Sequence, residues 1–174
     1  MTETNFAIAG GVSGAITDPN SKEALKHAEM YYEQIRHMTT DIEKIAENTG
    51  YTKAQILLIK NYLFMDSHEL FDGFRRFDSC FEIAESWRRL AFDKKNIQKH
   101  DLTLLNHELK EIQLVTQGFP QDIAHEKASE SYNYSAEYKK FYEKLGIKQN
   151  KHSQPINAGA IMSKKDSNYE YSRW

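Results

Sequence analysis

Residues 101–117 read DLTLLNHELKEIQLVTQ, and the spacing of their apolar side chains decides the fold class. At 100° per residue these side chains fall on one broad arc, which is typical of a helix that faces a core. They are Leu104, Leu105, Leu109, Ile112 and Val115. Asp101 can cap the start of this helix and Gly118 can end it. The stretch therefore predicts a long helix with one buried side.

Similar helical signals recur on both sides of this stretch. Four more start signals precede apolar residues at helical spacing. They are Asn20 before Ser21, Thr40 with Glu43, Thr52 with Gln55, and Ser79 with Glu82. Pro120 suits the first turn of a helix that runs to Tyr134, while Gly50 and Gly146 are expected to end helices. Alternating patterns typical of strands are missing. The sequence predicts an all-α fold, a single compact domain of about six or seven helices.

The composition is that of one globular domain. The chain has 174 residues, of which 40% are hydrophobic and 28% charged, and its single Cys excludes a disulfide framework or a Cys-rich zinc module. No run of about 18 apolar residues is present, and no basic region precedes an apolar stretch at the start. These features predict no membrane contact and a cytoplasmic location.

The two ends differ from the body between them. Residues 1–19 combine glycines with Asp18-Pro19 and are expected to form a flexible linker before the helical domain, residues 20–146. Residues 147–174 are expected to form a flexible basic tail. From Lys139 to the end there are eight basic and three acidic residues, whereas the preceding part carries 15 basic and 22 acidic ones. The basic tail therefore has two interpretations: it contacts nucleic acid, or it is simply a solvated end of the chain.

A carboxylate interrupts the apolar arc of the long helix. Glu108 lies inside that arc, where an ionised group is costly unless it is paired, hydrogen-bonded or protonated. His107 and Glu111 lie at the edge of the arc, and their spacing of four residues makes their side chains neighbours. A tight link at Gly118 makes the next helix an antiparallel neighbour, which can bring His125 close to them.

Three interpretations of this group are open. His107, Glu111 and His125 could bind a divalent metal such as zinc, with Glu108 as the base that activates water. Zinc hydrolases with a His-Glu-x-x-His helix work in this way, although here Glu111 replaces the second histidine. In the second interpretation His107 and Glu108 perform acid–base chemistry without a metal. In the third, Glu108 is paired with an arginine or a tyrosine in a purely structural network.

A second group combines arginines with an aromatic ring and a carboxylate. Its members are Arg75, Arg76, Asp78 and Trp87. A guanidinium forks to anionic groups and stacks on rings, so Arg75 or Arg76 is a candidate for binding an anionic substrate. Acidic residues are as dense here as basic ones, which favours intramolecular ion pairs as the alternative.

Several stretches together resemble a known domain type. They are AGG (9–11), SKEA (21–24), IKNYLF (59–64), RFD (76–78), ESWRRL (85–90), HDLTLLNHEL (100–109), AH (124–125) and YNY (132–134). Over roughly residues 8–145 the chain resembles C-terminal effector domains of bacterial polymorphic toxins and of phage head-morphogenesis (MuF-type) proteins. The resemblance implies an effector, often a nuclease or another hydrolase, that is delivered into a competing cell and neutralised by a cognate immunity protein.

The favoured hypothesis is a toxin-like hydrolytic effector, with nuclease chemistry preferred. Its catalytic residues would be His107, Glu108, Glu111 and His125, with an arginine of the second group positioning the substrate. The acidic body of the chain weakens the choice of nucleic acid as substrate. Two alternatives are a non-catalytic phage or bacterial interaction protein and a zinc-dependent hydrolase.

Overall fold

The computed structural model describes residues 18–149 together with Arg173 and Trp174, and within them the fold is all-α, as the helical spacing predicts. These residues form seven α-helices and one short β-hairpin. The helices are α1 (Lys22–His37), α2 (Asp41–Thr49), α3 (Lys53–Lys60), α4 (Phe81–Phe92), α5 (Lys99–Thr116), α6 (Gln121–Ser131) and α7 (Tyr134–Gln149). A π-helical turn, Asn61–Met65, continues α3, and a short 3-10 turn, Lys94–Asn96, precedes α5. In the hairpin β1 (His68–Leu70) pairs antiparallel with β2 (Gly73–Arg75).

The first helices begin and end largely where the sequence signals lie. Thr52 and Gln55 form the predicted capping box of α3, each side chain bonding to the backbone N–H of the other residue. Gly50 ends α2 at a φ of 82°, which glycine adopts without strain. Ser21 itself caps α1, one residue later than predicted. Thr40 occupies the start of α2 but makes no side-chain capping bond.

The starts of α4 and α5 differ from the prediction. Residue Cys80, rather than Ser79, occupies the N-cap of α4, and its side chain makes no capping bond. The cap of α5 is Gln98, three residues before the predicted cap Asp101, which instead lies in the first turn of the helix. The Asp101 carboxylate accepts the backbone N–H of Gln98 at 2.8 Å, in a reciprocal capping box with the Gln98 side chain.

The remaining differences concern the hairpin and the last two helices. The predicted absence of strands is wrong for the hairpin, whose strands of three residues are too short to show alternation. The helix predicted from Pro120 to Tyr134 is interrupted at residues 132–133, where α6 ends and α7 begins. Gly146 does not end α7, which continues to Gln149. Residues 1–17 of the predicted linker 1–19 and most of the predicted tail lie outside the described residues.

Helix α4 lies at the centre of the core. Every residue from Phe81 to Ala91 is buried, and the helix packs against α1, α2 and α5. Its apolar anchor is Trp87, which has no exposed surface and meets Phe64 edge-to-face at 5.1 Å. No helix within the described residues is long and apolar enough to cross a membrane.

Buried ion pairs fix α5 against α4. Arg89 of α4 donates to both carboxylate oxygens of Asp101 at 2.8 Å, and Ser86 donates to the same carboxylate at 2.6 Å. Such forked bonds are directional as well as strong. They set the position of α5 along α4, and therefore of the side chains that α5 carries further on.

Candidate metal centre

One side of α5 carries three ionisable side chains without any exposed surface. They are His107, Glu108 and Glu111. His107 and Glu111 are one helical turn apart, and His107 Nε2 lies 2.9 Å from Glu111 Oε2. Burying three such groups costs free energy unless each one is paired. Their contacts therefore indicate what the site can bind.

Helix α6 adds a second histidine to this group. A short link containing Gly118, at a φ of 100°, joins α5 to α6, and the two helices pack against each other. His125 Nδ1 lies 3.0 Å from Glu111 Oε2 and 3.2 Å from His107 Nε2. The structure thus brings together the three residues that the sequence pattern predicts as metal ligands.

The spacing of these three atoms matches a metal site. A tetrahedral zinc ion with bonds of about 2.1 Å holds neighbouring ligand atoms about 3.4 Å apart. The separations here are 2.9, 3.0 and 3.2 Å, so a small movement of the side chains is enough to admit the ion. Two histidines and one glutamate also form the ligand set of known catalytic zinc sites.

The hydrogen bonds of His107 determine which ring nitrogen faces the cluster. Its Nδ1 lies 3.0 Å from the carbonyl oxygen of Tyr132, which only accepts, so Nδ1 carries the proton. Nε2 then faces Glu111 Oε2 at 2.9 Å, and either a second proton or a metal ion on Nε2 would join the two atoms. A backbone carbonyl on the far ring nitrogen is a common device for orienting a metal-binding histidine.

Two side chains bond to one oxygen of the Glu111 carboxylate. Tyr62 OH donates to Oε1 at 2.7 Å, and Gln121 Nε2 donates to the same oxygen at 3.1 Å. Oε2 faces the two histidines and accepts a bond from Arg173 at 2.7 Å. Burial by itself raises the pKa of Glu111, but the charge of Arg173 and the bonds to His107 and His125 outweigh it and lower the pKa. Glu111 therefore offers an anionic oxygen that could bind a metal ion.

Glu108 has different surroundings on the same helix. One carboxylate oxygen, Oε2, accepts a bond from Arg173 at 2.6 Å, whereas Oε1 has no hydrogen-bond partner among the described residues. Burial raises the pKa of Glu108, with the charge of Arg173 acting against it. A buried carboxylate with a free oxygen and a raised pKa is suited to accept a proton.

The structure adds two site residues that sequence reasoning did not find. Arg173 and Trp174 belong to the segment predicted to be a flexible tail, yet both pack at the cluster, 8% of the Arg173 side chain being exposed. Their contacts are distant in sequence and follow no periodic pattern, so no local signal marks them.

The second predicted group does not join this site. Arg75 pairs with Asp72 and Asp78 at 2.9 to 3.0 Å, so intramolecular ion pairs engage its guanidinium. Arg76 donates to the carbonyl oxygen of Met65. Trp87 lies in the core, where its indole N–H donates to Asp41. These side chains are engaged in contacts within the protein, as the alternative of intramolecular ion pairs expects.

No protein-family model matches the chain, and no curated protein or solved structure is similar to it.

Proposed function

We propose that the protein is a metal-dependent hydrolase whose metal ion is bound by His107, Glu111 and His125. The observation that carries the proposal is the convergence of three ligand atoms, one from each residue, all within 3.2 Å of one another. Three protein ligands leave a coordination position for water, which is the property of catalytic zinc sites. The nitrogen and oxygen donors suit zinc among the divalent metals.

Glu108 acts as the proton acceptor. The ion held by His107, Glu111 and His125 would supply a Lewis acid that makes water more acidic. The Glu108 carboxylate would take one proton from the water as the water oxygen bonds to the electrophilic atom of the substrate. The bond to the leaving group breaks and Glu108 returns the proton to that group. The water is consumed, its oxygen and one hydrogen staying on one product and the other hydrogen on the second.

The effector role remains part of the proposal. Its support is the resemblance of residues 8–145 to effector domains, which act in the cytoplasm of a target cell and have a cognate immunity protein as partner. Nuclease activity is the less favoured form, because the arginines expected to bind an anion are engaged in other contacts.

The decisive variant is Glu108→Gln, which keeps the shape of the side chain and removes the proton acceptor. Expressed in a bacterial cytoplasm, the unaltered chain is expected to inhibit growth and the variant is expected to lose this effect. Loss of a general base typically costs about 10²- to 10⁴-fold in rate. Glu126→Gln changes an exposed glutamate on α6 and is the matched control, expected to remain toxic.

The metal is tested separately in the purified protein. After dialysis against zinc, metal analysis is expected to find one zinc per chain in the unaltered protein and in Glu108→Gln, and much less in His125→Ala. Zinc-free protein in every case would refute the metal site. Toxicity that survives Glu108→Gln would refute the role of Glu108, and harmless expression of the unaltered chain would favour a binding protein.

A further inference from the structure

The acidic side of the candidate metal centre is built to hold a guanidinium. Arg173 Nη2 donates to Glu108 Oε2 at 2.6 Å and to Glu111 Oε2 at 2.7 Å. The Arg173 Cζ atom lies 4.3 Å from the ring centroid of Phe77 and 5.8 Å from that of Tyr62. The two carboxylates bond to the same nitrogen, which any cationic group could do, whereas a planar guanidinium over aromatic rings is a contact that arginine makes better than lysine.

A neighbouring pocket holds an aromatic ring. The ring centroid of Trp174 lies 4.6 Å from those of His107 and His125 and 5.1 Å from that of Tyr134. The indole therefore covers the two histidines that the proposed metal would use. Two adjacent pockets, one for a guanidinium and one for an aromatic ring, are filled by two consecutive residues.

We infer that these pockets form a binding site for peptide segments in which an arginine precedes an aromatic residue, and that Arg173–Trp174 is the intramolecular ligand. Peptide binding itself needs no metal and is independent of the proposed function. Only the further step, in which such a peptide is the substrate of the hydrolase, rests on the proposed function. A phosphate group would meet the Glu108 and Glu111 carboxylates here, so the pocket selects against nucleic acid.

The fit of Arg173 indicates an exchangeable ligand. Two of its nitrogens, Nε and Nη1, have no hydrogen-bond partner among the described residues, although they are buried. Such donors lose their water without full compensation, which weakens the bound state. A peptide supplied from outside can therefore compete for the pocket, provided that it offers the same two side chains.

Peptide binding to full-length variants tests the inference. In Arg173→Ala/Trp174→Ala both pockets are open, and calorimetry with acetyl-Arg-Trp-amide in buffer containing EDTA is expected to show at least tenfold tighter binding than with the unaltered chain. Acetyl-Gln-Trp-amide is expected not to bind, and acetyl-Lys-Trp-amide to bind at least tenfold more weakly. The matched control Lys127→Ala/Phe119→Ala removes an exposed cation–aromatic pair and is expected to behave like the unaltered chain.

A single variant keeps the inference testable if the double variant does not fold. Arg173→Ala opens the guanidinium pocket alone, and millimolar ethylguanidinium is expected to raise its melting temperature while ethylammonium has little effect. The unaltered chain is expected to respond to neither. A folded variant that binds neither acetyl-Arg-Trp-amide nor ethylguanidinium would overturn the inference.

The two proposals fail in different ways. Peptide binding in EDTA by a protein that never binds zinc would leave the peptide site standing and refute the metal centre. Zinc binding without peptide binding would leave the metal centre standing and refute the peptide site. If the protein binds both the peptide and zinc but does not cleave the peptide, the site recognises the peptide and the peptide is not its substrate.

Discussion

Glu108 and Glu111 lie three residues apart on α5 and bond to the same guanidinium, yet their surroundings shift their pKa values in opposite directions. For Glu108 burial dominates and raises the pKa. For Glu111 burial also raises the pKa, but Arg173, His107 and His125 together lower it by more than burial raises it. Environments that separate the pKa values of two neighbouring acids are a common way to divide acid–base roles. The division here agrees with the roles proposed above, metal binding for Glu111 and proton transfer for Glu108.

A different buried histidine makes stability depend on pH. Burial lowers the pKa of His100 to about 4, with Arg89 acting in the same direction and Asp101 and Glu137 against it. In its neutral form the ring accepts a bond from Arg89 at 3.1 Å. The unfolded chain takes up the His100 proton near pH 6.5, while the folded protein resists it down to about pH 4. Stability from this residue is therefore complete above pH 6.5 and is lost as the pH falls from there.

We expect the free energy of unfolding to fall by about 2 kcal/mol between pH 7 and pH 5 because of His100. Urea unfolding at the two pH values measures it, and His100→Gln is expected to remove that part of the decrease. The control is His37→Gln, which changes a histidine whose side chain is 76% exposed. An equal decrease in the unaltered protein and in His100→Gln would contradict the assignment.

The residues of the candidate site differ in how far the sequence predicts them. Periodicity places Glu108 inside an apolar arc and His107 beside Glu111, because these relations are set within one helix. The short link after α5 places His125 near them. Arg173 and Trp174 reach the site through contacts at least 40 residues away in sequence, and the bond from Arg173 to Glu108 joins residues 65 positions apart. No local pattern encodes such a contact.

At the scale of the elements, helix start signals have different effects although they look alike in sequence. Thr40 and Thr52 both precede helices, but only Thr52 forms side-chain bonds to its helix, accepting the Gln55 N–H at 3.1 Å. Local sequence gives the candidates for a cap, whereas the backbone conformation decides whether the bond forms. At Thr52 the ψ of 152° is extended, as a cap requires, while at Thr40 it is −15°.

This difference predicts unequal effects of one substitution at the two positions. Thr52→Ala is expected to lower the free energy of unfolding by about 1 kcal/mol, the usual cost of losing a cap. Thr40→Ala is the matched control at an exposed position and is expected to change it by less than about 0.5 kcal/mol. Urea denaturation of both variants measures the effects. Equal losses would mean that Thr40 caps α2 in solution.

At the scale of the whole molecule, the candidate metal centre joins parts of the chain that are far apart. It takes ligands from α5 and α6, a supporting hydroxyl from Tyr62 after α3, and the two residues Arg173–Trp174. Arg173 and the proposed metal ion both require Glu111 Oε2, and both are positively charged. Occupation by one therefore disfavours the other, and this effect is reciprocal by thermodynamic linkage.

Removing the arginine is consequently expected to strengthen metal binding. In Arg173→Ala the repulsion between guanidinium and ion is gone and two buried carboxylates need a cation, so zinc affinity should rise at least tenfold in a chelator competition titration. Arg75→Ala is the matched control, because that guanidinium pairs with Asp72 and Asp78 and its loss leaves the site unchanged.

By reciprocity, adding zinc to the unaltered chain should displace Trp174 and shift its fluorescence to longer wavelength, and Trp174→Phe should lose that shift. Equal zinc affinity in the unaltered chain and in Arg173→Ala would mean that the ion and the arginine bind independently.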